Sequence, residues 1–131
     1  AVLHYPLQGW LDAVVMNVLM GQAVVIQIEE FAGLSYQPLA EIFRAILPRE
    51  RRHTELGEEG LRKLLEDAGN RPQVAAALAY WRPRVAASFG RGSSAHFETQ
   101  RKFGLRRTGN AELAAAWERQ VGKLLHAIGM A

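Results

Sequence analysis

The sequence contains no cysteine. Disulfide frameworks, thiolate zinc sites, iron–sulfur clusters and thiol nucleophiles are excluded together. A bound metal would have to be held by His, Asp, Glu or water. Aspartate is nearly absent too, occurring only at Asp12 and Asp67. No serine sits in a nucleophile-elbow context, so Ser-His-Asp catalysis has no support. No glycine-rich phosphate loop follows a strand pattern, which removes the nucleotide-fold motifs. Strict apolar/polar alternation is also missing, and with it the signature of a half-buried strand. The first residues, AVLHYPLQGW, lack the basic start and small-residue cleavage pattern of an export signal. The expected compartment is the cytoplasm. With no initiator Met, the chain reads as processed or as part of something longer.

What is present is ordinary for a folded domain. The 131 residues are 49% hydrophobic and 22% charged, enough to bury one core, and no interior linker divides them. A single domain over 1–131 is expected. The net charge of +3 hides an asymmetry. Residues 1–70 carry six Lys/Arg against ten Asp/Glu, a net of −4; residues 71–131 carry ten against three, a net of +7. Thirteen of the sixteen basic residues are Arg, the side chain suited to bidentate phosphate or carboxylate contacts. The basic half reads either as a surface for an acidic or phosphate-bearing partner or as a solvated face. The Arg run from Arg101 to Arg107 with Phe103 is too sparse for nucleic-acid binding.

Helical segments account for almost all of the chain. The first is expected from Trp10 to Ala32, ending at Gly33. Its polar residues Asp12, Asn17, Gln22 and Gln27 fall five apart. At ~100° per residue they spread around the helix instead of forming one wet face. Such a helix is buried on nearly all sides. It is long enough to span a bilayer, but a carboxylate and three amides argue for burial in protein and against a membrane. A second helix is expected after Ser35 as N-cap, running toward Asp67, with Pro48 kinking or breaking it. A third spans about 72–89, a short one about 95–103, and a last one begins at a capping Asn110 and closes at Gly129. The fold class is all-α.

The second helix carries an anomaly. Its apolar stripe Leu39, Ile42, Phe43 and Ile46 continues at the same spacing through Glu50, His53, Gly57 and Gly60 to Leu61 and Leu64. Glu50 and His53 are thus expected side by side on the face that should be buried. A buried carboxylate and imidazole must be paired, hydrogen-bonded or bound to metal. Glu-x-x-His projecting into a helix bundle is how carboxylate-bridged di-iron proteins supply one half of their site. The alternative is a Glu–His hydrogen bond within the core, and both stay open. His4, His96 and His126 read as structural. Glu29 and Glu30 close the first helix, a poor place for carboxylates unless a positive group faces them. That group is either a metal or the run Arg49, Arg51 and Arg52 across the helical hairpin, and the ion pair is the favoured reading.

Tyr5–Pro6, Trp10–Leu11–Asp12, Ser35–Tyr36–Gln37–Pro38 and Glu50-x-x-His53 follow one another in an order that resembles the second half of the phenylacetic acid catabolic protein family. Trp81–Arg82–Pro83 before Phe89–Gly90, then Gly104–Leu105–Arg106–Arg107 and Asn110–Ala111–Glu112–Leu113, extend the resemblance over nearly the whole chain. It implies a ferritin-like half-bundle, completed by another segment, by a sister ferritin-like subunit or by a second copy. It implies a subunit of a multicomponent di-iron monooxygenase that epoxidises the ring of phenylacetyl-CoA, fed by a separate reductase. Glu50 and His53 would be iron ligands, and Arg106 and Arg107 would meet the CoA phosphates or the sister subunit. Two departures stand out. Gly21 occupies the place of a carboxylate ligand on the preceding helix, and the family's N-terminal helix pair has no counterpart here. The ligand set in this chain is incomplete, so the resemblance leaves two roles: an oxygenase subunit, or a helical scaffold of such a complex without metal.

Overall fold

The computed structural model describes residues 5–90 and 95–130. Five α-helices are present: α1 (Trp10–Ala32), α2 (Gln37–Glu66), α3 (Arg71–Ala87), α4 (Ala95–Lys102) and α5 (Asn110–Ala127). A 3₁₀ turn, Ala68–Asn70, separates α2 from α3. There is no strand among the described residues. The all-α class and the bundle architecture are as the sequence implies.

The helix apolar on all sides takes the centre. α1 packs against α2, α3 and α5, and twelve of its residues are buried, from Asp12 to Glu30. By length and composition α1 is apolar enough to cross a bilayer; here that surface is covered mostly by protein. Toward α3 and α5 the cover is complete. Trp81, Val74 and Val85 of α3 and Trp117 and Val121 of α5 are fully buried against Val15, Val18 and Leu19 of α1. An indole buried this deeply needs a partner for its N–H. Trp81 donates to the Asp12 carboxylate at 2.7 Å, and Trp117 donates to the Leu19 carbonyl at 2.9 Å. The other Asp12 oxygen accepts the Gln8 backbone N–H at 2.9 Å. The polar residue that looks misplaced in an apolar helix is therefore satisfied on both oxygens, in a first turn where the helix dipole favours an anion. Arg82 on α3 donates twice to Glu118 on α5, at 3.0 and 2.7 Å, tying those two helices together at the surface.

α1 begins and ends where the sequence places it. α2 departs in two ways. Its N-cap is Tyr36, not Ser35. Ser35 is taken up by the 103–104 turn, donating its hydroxyl to the Phe103 carbonyl and its N–H to the Gly104 carbonyl, both at 2.9 Å. Nor does Pro48 divide the helix: α2 is continuous from 37 to 66 across it. Pro48 is exposed, so the carbonyl it leaves without a donor can be met by water. At α5 the cap is Gly109, and Asn110 is the first helical residue, its side chain accepting from Arg106 at 2.9 Å. Of the expected structural histidines, His96 and His126 are exposed on α4 and α5. His4 lies outside the described residues.

Candidate functional site

α2 runs antiparallel beside α1, and glycines let the two helices close. A Cβ on Gly21 would come within 2.9 Å of the Thr54 hydroxyl, and one on Gly57 within 3.3 Å of Val18. Thr54 is held in place by donating to the Glu50 carbonyl at 3.0 Å. Gln22 reaches across and donates to Glu58 at 2.9 Å, and Arg51 meets Glu29 at 3.0 Å. The expected pairing of Glu29 with the Arg49–Arg52 run is thus made through Arg51.

Above these contacts the two helices leave an open groove of about 520 Å³. On the α1 side it is walled by Trp10, Val14, Asn17, Met20 and Val24. On the α2 side Glu50, His53, Leu56, Gly57 and Gly60 face it. Glu50 and His53 do share one face, as their spacing requires. The burial expected of them is corrected: Glu50 is half-buried and His53 is exposed. The reason is that among the described residues no helix besides α1 packs along this part of α2, whose 30 residues bury only Ala40 and Leu61. Nor do the two side chains hydrogen-bond to each other, and among the described residues neither has an ion-pair or hydrogen-bond partner.

Metal-site geometry demands more than two donors. Among the described residues there is no group of three or more His, Asp or Glu that could hold an ion. One free carboxylate and one free imidazole at helical spacing fit one half of a carboxylate-bridged centre. α1 adds no donor at position 21, which is glycine, and the Thr54 hydroxyl stands 2.9 Å from where a Cβ there would be.

The basic pair lies further along α1. Glu30 is buried and accepts the backbone N–H groups of Arg107 and Thr108 at 2.6 and 2.8 Å. Both guanidinium groups stand 3.8 Å from its carboxylate. Arg106 is only 20% exposed and also donates to Asn110 and to the Thr108 carbonyl. Arg107 is 56% exposed and donates to the Glu29 carbonyl at the end of α1. The guanidinium lies against Gly33, so a side chain there would have to push it aside. Glu30 is the residue whose partners sequence reasoning misplaced. Its partners were sought in the adjacent helix, but they lie 77 and 78 residues away. The only signal was a carboxylate at a helix C-terminus, where the dipole alone disfavours it. Along the α1 axis Glu30 is about 9 Å beyond Val24 at the rim of the groove, so one helix connects both features.

No curated protein matches the chain. The family model described as Phenylacetic acid catabolic protein matches residues 1–131. The match covers the whole of this sequence, and the chain belongs to the phenylacetic acid catabolic protein family.

Proposed function

We propose that this chain is a helical subunit of a multicomponent iron oxygenase acting on an aryl-CoA thioester, and that Glu50 and His53 contribute to an iron centre whose other donors lie beyond the described residues. The observation that carries this reading is the Glu50/His53 pair, free of other partners and facing an apolar groove. Metal ligands must be available in this way, because a pair engaged in a core hydrogen bond would have to give it up to bind. Bound iron would supply the dioxygen activation that ring epoxidation needs. The chain's own residues would bind and orient. Val14, Met20 and Val24 offer an aromatic ring a dry wall. Arg107, exposed and steered by Glu30, suits the phosphates at the far end of a CoA ester. A sister ferritin-like subunit and a reductase component would complete the assembly.

Gly21 favours a second reading, in which the chain is a metal-free helical scaffold of the same complex. A carboxylate ligand cannot replace Gly21 while Thr54 stands 2.9 Å from its Cβ position. Iron analysis separates the two readings. The protein is purified after iron supplementation, with its copurifying subunits, beside Glu50→Ala and His53→Ala. Iron in the parent and its loss in either variant, with helicity unchanged, is the expected result. A clean absence of metal from the parent overturns the oxygenase reading and leaves the scaffold.

A further inference from the structure

We infer that the cavity between α1 and α3 binds a small organic cation, an amine or amidine on a compact apolar body, with the Asp12 carboxylate as its counter-ion. The cavity holds about 390 Å³ and shares no lining residue with the α1–α2 groove. A ligand here is therefore independent of any metal at Glu50 and His53.

Charge points to the ligand. Two carboxylates are buried among the described residues, Asp12 and Glu30. Glu30 has the Arg106 and Arg107 guanidinium groups 3.8 Å away. Asp12 takes part in none of the ion pairs among the described residues. Its two hydrogen bonds come from neutral donors, the Trp81 indole and the Gln8 backbone N–H. The dipole of α1 offsets only part of its charge. Each carboxylate oxygen has room for a second donor, and Asp12 forms part of the cavity wall. A buried carboxylate without a counter-charge is costly, and a cation beside it lowers that cost more than a neutral donor can. The fully buried Trp81 also fixes the orientation of the carboxylate, so the acceptor is set before a ligand arrives.

The rest of the cavity suits the body of such a ligand. Leu11, Ala76 and Ala77 give it an apolar surface. Tyr80 adds an aromatic wall, held by Arg84, which is not itself a lining residue. The Arg84 guanidinium lies 3.7 Å from the centre of that ring and donates to the Tyr80 carbonyl at 2.7 Å. Gln8 and Gln73, both exposed, bring side-chain amides that can meet further polar groups. A few polar groups converging on an apolar cavity of this size is the pattern of a small-molecule site. No Lys, Arg or His lines it, so an anion would meet Asp12 unaided, and a neutral ring would leave the charge unmet.

The test titrates the isotope-labelled protein with benzamidine and follows the indole N–H signals of its tryptophans. Trp81 reports on the contact with Asp12, and Trp117, bonded to the Leu19 carbonyl, is the internal control. Saturable movement of the Trp81 signal at one benzamidine per chain is expected, while Trp117 stays still. Neutral benzamide should bind about tenfold more weakly, and benzoate should not bind. Asp12→Asn keeps an acceptor for Trp81 and should reduce benzamidine to the level of benzamide. Ala76→Phe keeps the carboxylate but fills the cavity, and it should abolish binding. Position 76 is exposed, so the fold should survive that change and the cavity is tested even if Asp12→Asn unfolds. A Trp81 signal indifferent to benzamidine, equal affinity for benzamide, or binding that survives Ala76→Phe overturns the site.

Discussion

The two sides of α1 differ sharply in how they are covered. Toward α3 and α5 the helix meets two fully buried tryptophans whose N–H groups are both satisfied. Toward α2 it meets a partner that buries two of its thirty residues and leaves a groove open to solvent. On the closed side the facing tryptophans and valines are fully buried, as in a close-packed core. The open side keeps free exactly those groups that could recognise something else: a carboxylate, an imidazole and large apolar side chains around them.

This division can be broken most forcefully on the closed side. Trp117→Ala removes a fully buried indole together with its bond to the Leu19 carbonyl. It should cost about 3–5 kcal/mol, read as a large fall in the urea midpoint. An intermediate effect is expected at the end of α1. Glu30→Ala strips the acceptor from two backbone N–H groups and the counter-charge from a mostly buried Arg106. A loss of about 2 kcal/mol is expected, with faster hydrogen exchange at the Arg107 and Thr108 amides as the local signature. If those amides stayed protected, the anchoring role of Glu30 would be wrong. The smallest effect belongs to the open side. His53→Ala should change the stability of the metal-free chain by no more than about 0.5 kcal/mol. A larger loss would mean that His53 is part of the core after all, and the contrast between the two sides would fail.

Much of this arrangement was readable in advance, and the misses share a cause. α1 was legible because its limits are local: a mostly apolar stretch that starts at Trp10 and stops before Gly33. The shared face of Glu50 and His53 was legible for the same reason, since a spacing of three fixes neighbours on any helix. Their burial was not, because amphipathicity says which face seeks cover and not whether the chain provides it. Ser35 was mistaken for a cap because its residue type is right for one, while a turn 68 residues away claims its hydroxyl. Pro48 was expected to kink or break α2; the break does not occur, since an exposed carbonyl can turn to water and the helix continues. Glu29 found its partner in the neighbouring helix, and Glu30, one residue on, found its partners near α5.

The amino-acid sequence by itself determined the helical class, the extent of α1 and the register that sets Glu50 beside His53, because periodicity and helix ends are written in residues a few positions apart. Only the tertiary structure decided that α1 is closed by tryptophans on one side and left grooved on the other, and that Glu30 anchors the Arg106–Arg107 turn. Those outcomes depend on contacts between residues separated by most of the chain, and such contacts are settled by packing and by where a buried charge can find its partners.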